Sequence, residues 1–156
     1  MKLMWTLFVG ALLPFALTAI EIEAEGGILT DVAASVVKSE NASGGKTVRL
    51  KGSAARKAVM KAPEEGEEPA LTLKTTFAKD GKYKIIAVIY AATTSSDSCF
   101  WALDDNKPKD FHTGFPKAGV PFVLYNGEVK AGDHQIKFWT REPGFEIDKV
   151  IIEEAK

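Results

Sequence analysis

The chain has almost no cysteine or histidine, and those shortages remove whole classes of chemistry. Cys99 stands alone, so no internal disulfide can brace the fold. The two histidines, His112 and His134, lack an H-E-x-x-H spacing, which removes that zinc-hydrolase arrangement. There is no G-x-S-x-G and no phosphate-binding glycine loop, so neither a nucleophile elbow nor a nucleotide cradle is expected. Cys99 lies in a predicted core strand with no histidine beside it, and reads as a buried, inert thiol. Net charge is nearly absent as well: 20 Lys and Arg against 21 Asp and Glu leave −1. No basic excess exists to draw nucleic acid or an anionic membrane.

Long hydrophobic runs are confined to the first residues. Lys2 precedes an apolar stretch from Leu3 to Leu17, and Leu17-Thr18-Ala19 offers small residues for cleavage. This is the organisation of a secretory signal peptide over residues 1–19, which implies a secreted or periplasmic protein without a membrane anchor after processing. The remaining residues, 20–156, suit a single domain able to bury about two-thirds of its unfolded surface. With no disulfide, a bound metal would serve as the staple.

Beyond residue 19 the pattern is one of short β-rich runs between turn clusters. Strands are predicted over 20–25, 46–51, 71–77, 83–90, 98–104, 122–125, 135–140 and 147–153. Between them lie Gly26-Gly27, Ser43-Gly44-Gly45, Asp80-Gly81-Lys82, Asp104-Asp105-Asn106, Asn126-Gly127, Ala131-Gly132-Asp133 and Glu142-Pro143-Gly144, all chemically sensible turns. Eight or nine such strands predict an all-β, jelly-roll β-sandwich. Residues 61–69 are acidic and proline-bounded and read as a solvated loop, whereas 106–120 reads as an aromatic loop that covers an edge or lines a site.

Several stretches carry a family likeness in their order. Glu21-Ile22-Glu23-Ala24-Glu25, Ser43-Gly44-Gly45, Gly81-Lys82-Tyr83, Asp97-Ser98-Cys99-Phe100-Trp101, Ala131-Gly132-Asp133-His134-Gln135-Ile136 and Arg141-Glu142-Pro143-Gly144-Phe145-Glu146-Ile147-Asp148-Lys149 follow one another along the chain. Together they resemble the calcium-containing, galactose-binding-domain-like carbohydrate-binding modules of families six and thirty-five. The resemblance implies a structural calcium ion held by Glu23, Glu25, the backbone around Gly45 and Lys46, and Asp148. Calcium takes about six to eight hard oxygen donors, which carboxylates and turn carbonyls supply. If 20–25 is one strand, Glu23 and Glu25 point to the same side of it.

The resemblance further implies non-catalytic binding of a polysaccharide or oligosaccharide. Sugars are held by aromatic faces and by planar polar side chains. In the register that sends Cys99 and Trp101 inward, Phe100 faces out, and Tyr125, Trp139, Arg141 and Glu142 lie at or near strand ends. These five residues are the expected sugar contacts. Lys46 stands where many family-six modules carry a stacking aromatic, a departure from the pattern. Two other readings stay open: a structural or adhesive surface protein on the same sandwich, and a polysaccharide-processing enzyme using paired carboxylates.

Overall fold

The computed structural model describes residues 19–52, 60–114 and 116–155. The expected leader lies outside the described residues except for Ala19. Among the described residues eleven strands form two antiparallel sheets: β1 (Ile20–Glu23), β2 (Ile28–Leu29), β3 (Ala34–Lys38), β4 (Lys46–Leu50), β5 (Leu71–Phe77), β6 (Gly81–Ala91), β7 (Ser98–Leu103), β8 (Lys109–His112), β9 (Lys117–Val129), β10 (Gly132–Thr140) and β11 (Glu146–Glu154). One sheet runs β3-β4-β11-β6-β9, with β1 also on β11; the other runs β2-β5-β10-β7-β8. The described residues form a β-sandwich, as the strand and turn pattern predicts.

Alternation along the strands builds the interior. Leu71, Leu73 and Phe77 of β5, Ile136 and Phe138 of β10, and Cys99, Trp101 and Leu103 of β7 face Tyr83, Ile85, Ala87 and Ile89 of β6 and Ile147, Val150 and Ile152 of β11 across the gap. Branched and aromatic side chains on both inner faces bury apolar area at about 25 cal/mol per Å², the main favourable contribution to such a core. Beside this core, Glu146 fastens β11 to β4: it accepts from Thr47 Oγ1 at 2.6 Å and from Arg49 Nε at 2.8 Å, with Arg49 Nη2 at 2.6 Å.

Three strands exceed the predicted number, and each has a physical reason. β2 spans two residues and β8 four, too short for alternation to show, and β3 carries only a Val-Val pair. β9 is far longer than the predicted 122–125 because Gly119, Pro121 and Asn126-Gly127 lie inside it rather than in turns. β9 is an edge strand, where proline's missing N–H costs no ladder bond. Gly127 leaves room for the Tyr125 ring: a Cβ there would stand 2.8 Å from the Tyr125 hydroxyl and push that ring aside.

Candidate functional site

One edge of β11 is shared by two strands. β4 pairs with Glu146 and Ile147, β1 pairs with residues 149–152, and Asp148 falls in the seam between them. On the opposite edge the β6 register shifts between Ile147 and Lys149, so Asp148 is also the bulged residue. It is 3% exposed. The seam is closed from above by Ser43-Gly44-Gly45, where Gly44 and Gly45 adopt φ of 61° and 73°, the left-handed region that glycine enters without cost. Tyr90 pins the loop leading into this turn by donating to the Asn41 carbonyl at 2.7 Å.

Glu25 reaches the seam differently from the expectation. β1 ends at Glu23, and Ala24–Gly26 form a 3-10 turn, so the two glutamates do not share a strand face. The turn buries Ala24 completely in the core and so swings Glu25 toward the same glycine turn, where a Cβ on Gly44 would stand 3.0 Å from Glu25 Oε1. Ser43 donates its N–H to Asp148 Oδ2 at 3.2 Å and its hydroxyl to Glu23 Oε1 at 2.7 Å. The other oxygens, Glu23 Oε2, Glu25 Oε2 and Asp148 Oδ1, are buried without a hydrogen-bond partner.

Those three orphaned oxygens are the main electrostatic anomaly of the fold. Burial, opposed by the Ser43 N–H and reinforced by Glu23 and Glu25, raises the Asp148 carboxyl above its ordinary value. A buried carboxylate oxygen without a donor costs on the order of kcal/mol, and neighbouring negative charges add to that. The residues present therefore fit a hard cation. Among the described residues no three His, Cys, Asp or Glu side chains stand close enough together to hold a metal ion as they are, so a cation would have to draw the three carboxylates inward and take further donors from the backbone. The Gly45 carbonyl accepts from the Ser39 N–H at 3.0 Å and keeps a second lone pair. Lys46 contributes backbone only, its N–H donating to the Ser43 carbonyl while its side chain is exposed.

The five expected sugar contacts do not form one platform. Phe100 does face away from Cys99 and Trp101, as the register requires, but it is 3% exposed. It packs with Ala102 and Trp139 beneath Ala62, so the expected stacking surface is a second, small core. Trp139, the register partner of Phe100, is 6% exposed and donates its indole N–H to the Glu67 carbonyl at 2.9 Å. The acidic loop is thus a cover rather than a freely solvated segment. A concavity of about 550 Å³ opens between it and residues 104–108, with Trp139 and Lys137 on its wall.

Arg141 and Glu142 lie elsewhere, in a polar knot that ties β7 to the turn after β10. Ser98 Oγ donates to Glu142 Oε2 at 2.6 Å, the Asp97 N–H donates to the same oxygen at 3.1 Å, and buried Arg141 donates to Ser98 Oγ at 2.7 Å. Burial and the facing Glu142 carboxylate raise Asp97, while Ser98 and Asp97 outweigh the burial cost at Glu142 and hold it low. Arg141 is therefore buried and engaged within the fold. Tyr125 is on the opposite sheet, half-buried, donating to the Glu128 carbonyl at 2.9 Å. The Asp97-Ser98 pair at the start of β7 supplies the partners that hold Arg141 and Glu142 in place.

Neither a family model nor a curated protein matches the sequence. The fold, in contrast, is that of the carbohydrate-binding modules of families six and thirty-five. A family 35 carbohydrate binding module from Clostridium thermocellum is similar at a TM-score of 0.62 and 19% identity, covering 86% of this chain and 98% of that one. The C-terminal CBM6 of LamC, a marine laminarinase from Zobellia galactanivorans, is similar at 0.57 and 15%, covering 88% and 100%. A GH26-CBM35 β-(1,4)-mannanase from Podospora anserina is similar at 0.68 and 16% over 88% of this chain, which spans only 28% of that enzyme.

Proposed function

We propose that the protein is an exported, non-catalytic carbohydrate-binding protein whose sandwich is completed by a structural calcium ion. The observation that carries this reading is the set of orphaned oxygens of Glu23, Glu25 and Asp148 at the seam, on a fold shared with carbohydrate-binding modules. Calcium there neutralises three carboxylates and joins the first and last strands to the Ser43 turn. Tyr125 and Trp139 border open concavities and are the retained sugar contacts. Phe100 supports Trp139 from behind, while Arg141 and Glu142 hold the Asp97-Ser98 corner.

The burial of Phe100, Trp139 and Arg141 favours one alternative, a structural or adhesive surface protein with no sugar site. Co-sedimentation of the protein with insoluble polysaccharides, in calcium, separates the two. Retention on at least one polysaccharide without release of reducing ends supports the proposal. Absence of retention on every polysaccharide supports the adhesive reading, and product release would assign an enzyme. N-terminal sequencing of material exported by a secreting host tests processing near Ala19.

A further inference from the structure

Along β6 the alternation sends Tyr83, Ile85, Ala87 and Ile89 into the core and turns Tyr90 to the outer side of its sheet. Its partner on β11 is Glu146, two residues before Asp148. On the other edge of β6 the register shifts: Ile89 pairs with Val120 and Tyr90 with Ala118, which leaves Gly119 as the extra residue of a bulge in β9. Gly119 takes a φ of 63°, in the left-handed region. A Cβ there would stand 2.9 Å from the Tyr90 hydroxyl. Bulge and glycine together leave the phenol room to reach the Asn41 carbonyl.

That bond, at 2.7 Å, is the one hydrogen bond of the phenol among the described residues. The loop it holds is closed on itself: the Ser39 N–H donates to the Gly45 carbonyl at 3.0 Å, the Ala42 N–H to Ser39 at 3.1 Å and the Gly45 N–H to Ala42 at 3.0 Å. Among the described residues its side-chain ties to other elements are three, two from Ser43 to Glu23 and Asp148 and one from Tyr90. The Ser43 bonds end on carboxylates that an ion would draw inward. The Tyr90 bond ends on β6, which carries none of the candidate ligands. Burial, and then the Asp148 and Glu146 carboxylates, raise the phenol above its ordinary pKa, so the ring stands within the field of the seam and stays a donor.

Resting on the calcium reading, we infer that Tyr90 is a positioning residue for the cation. It does not touch the ion. By holding Asn41 it keeps the carbonyls of the Ser43-Gly44-Gly45 turn at the seam while the three carboxylates close. A ligand set with one side already held loses less freedom on binding, which raises affinity and slows release.

Calorimetric titration of the chelator-stripped protein with calcium chloride, and stopped-flow release of calcium into excess chelator, test this. Tyr90→Phe removes the hydroxyl and keeps the ring. It should weaken calcium binding about fivefold, the ordinary contribution of one neutral hydrogen bond, and speed release. Tyr83→Phe, which cuts a comparable phenol bond to the Lys79 carbonyl at 3.1 Å near the other end of β6, should change neither. Gly119→Ala should repeat the loss and add little to it in the Tyr90→Phe background, where the hydroxyl it crowds is absent. A purely structural role would lower the melting temperature equally in chelator and in calcium and leave the affinity alone. That result, or an equal loss of affinity in Tyr83→Phe, would overturn the inference while the calcium reading stands. A wild type that takes up no calcium removes both.

Discussion

His134 sits with both ring nitrogens against acceptors: Nδ1 is 2.7 Å from Asp104 Oδ2 and Nε2 is 2.9 Å from the Lys130 carbonyl. Only the imidazolium donates from both, so burial, which favours the neutral ring, is outweighed by these partners and the pKa rises. A raised native pKa means that the stabilisation is complete below the ordinary histidine value, about 6.5, and fades as pH rises through the native one. The difference in melting temperature between the wild type and His134→Gln should accordingly be larger at pH 6 than at pH 9. Equal differences at the two pH values would show that the ring supports the fold as a neutral group. Phe100 makes a second residue-level test. Because it is buried beneath Ala62, Phe100→Ala should cost about 3 kcal/mol in denaturant unfolding; a loss near zero would return it to the surface role read from alternation.

At the scale of elements, residues 61–69 and the seam along β11 decide what the sandwich exposes. The loop covers Phe100, Ala102 and Trp139 through the Ala62 methyl group and the Glu67 carbonyl, so replacing residues 62–68 by a short Gly-Ser linker should uncover an apolar patch. Dye binding to exposed apolar surface should increase while the far-ultraviolet β signal persists; unchanged dye binding would mean the loop covers nothing. Strand alternation made most of the sandwich legible, including the inward side of β7 and the buried run of β6. It did not reveal that this loop packs, because its cover is one methyl group and one backbone carbonyl, and hydropathy registers neither. Nor did it reveal the bulge at Asp148 or the 3-10 turn carrying Glu25, since both break the two-residue period that alternation reads. The resemblance to a family pattern nevertheless named the three acids whose buried oxygens lack a hydrogen-bond partner, where the strand argument for Glu25 failed. The burial of Phe100, Trp139 and Arg141 was not legible, because alternation tells which side of a sheet a residue faces but not what lies over that side.

The whole molecule depends on how its ends are joined. β1 and β4 lie end to end along β11, and the carboxylates at their junction repel one another unless a cation stands between them. In chelator, Asp148→Asn should therefore be no less stable than the wild type, since it removes a buried charge while keeping the shape. In calcium it should be clearly less stable, because a ligand is lost. The most direct test is the melting temperature of the protein in chelator and in calcium at about a hundred times the dissociation constant. Mass action then contributes about 2.7 kcal/mol, a rise of roughly 10 °C for a domain of this size, and Asp148→Asn should lose most of that rise. Coincident melting curves with and without calcium, at verified metal content, would contradict the account.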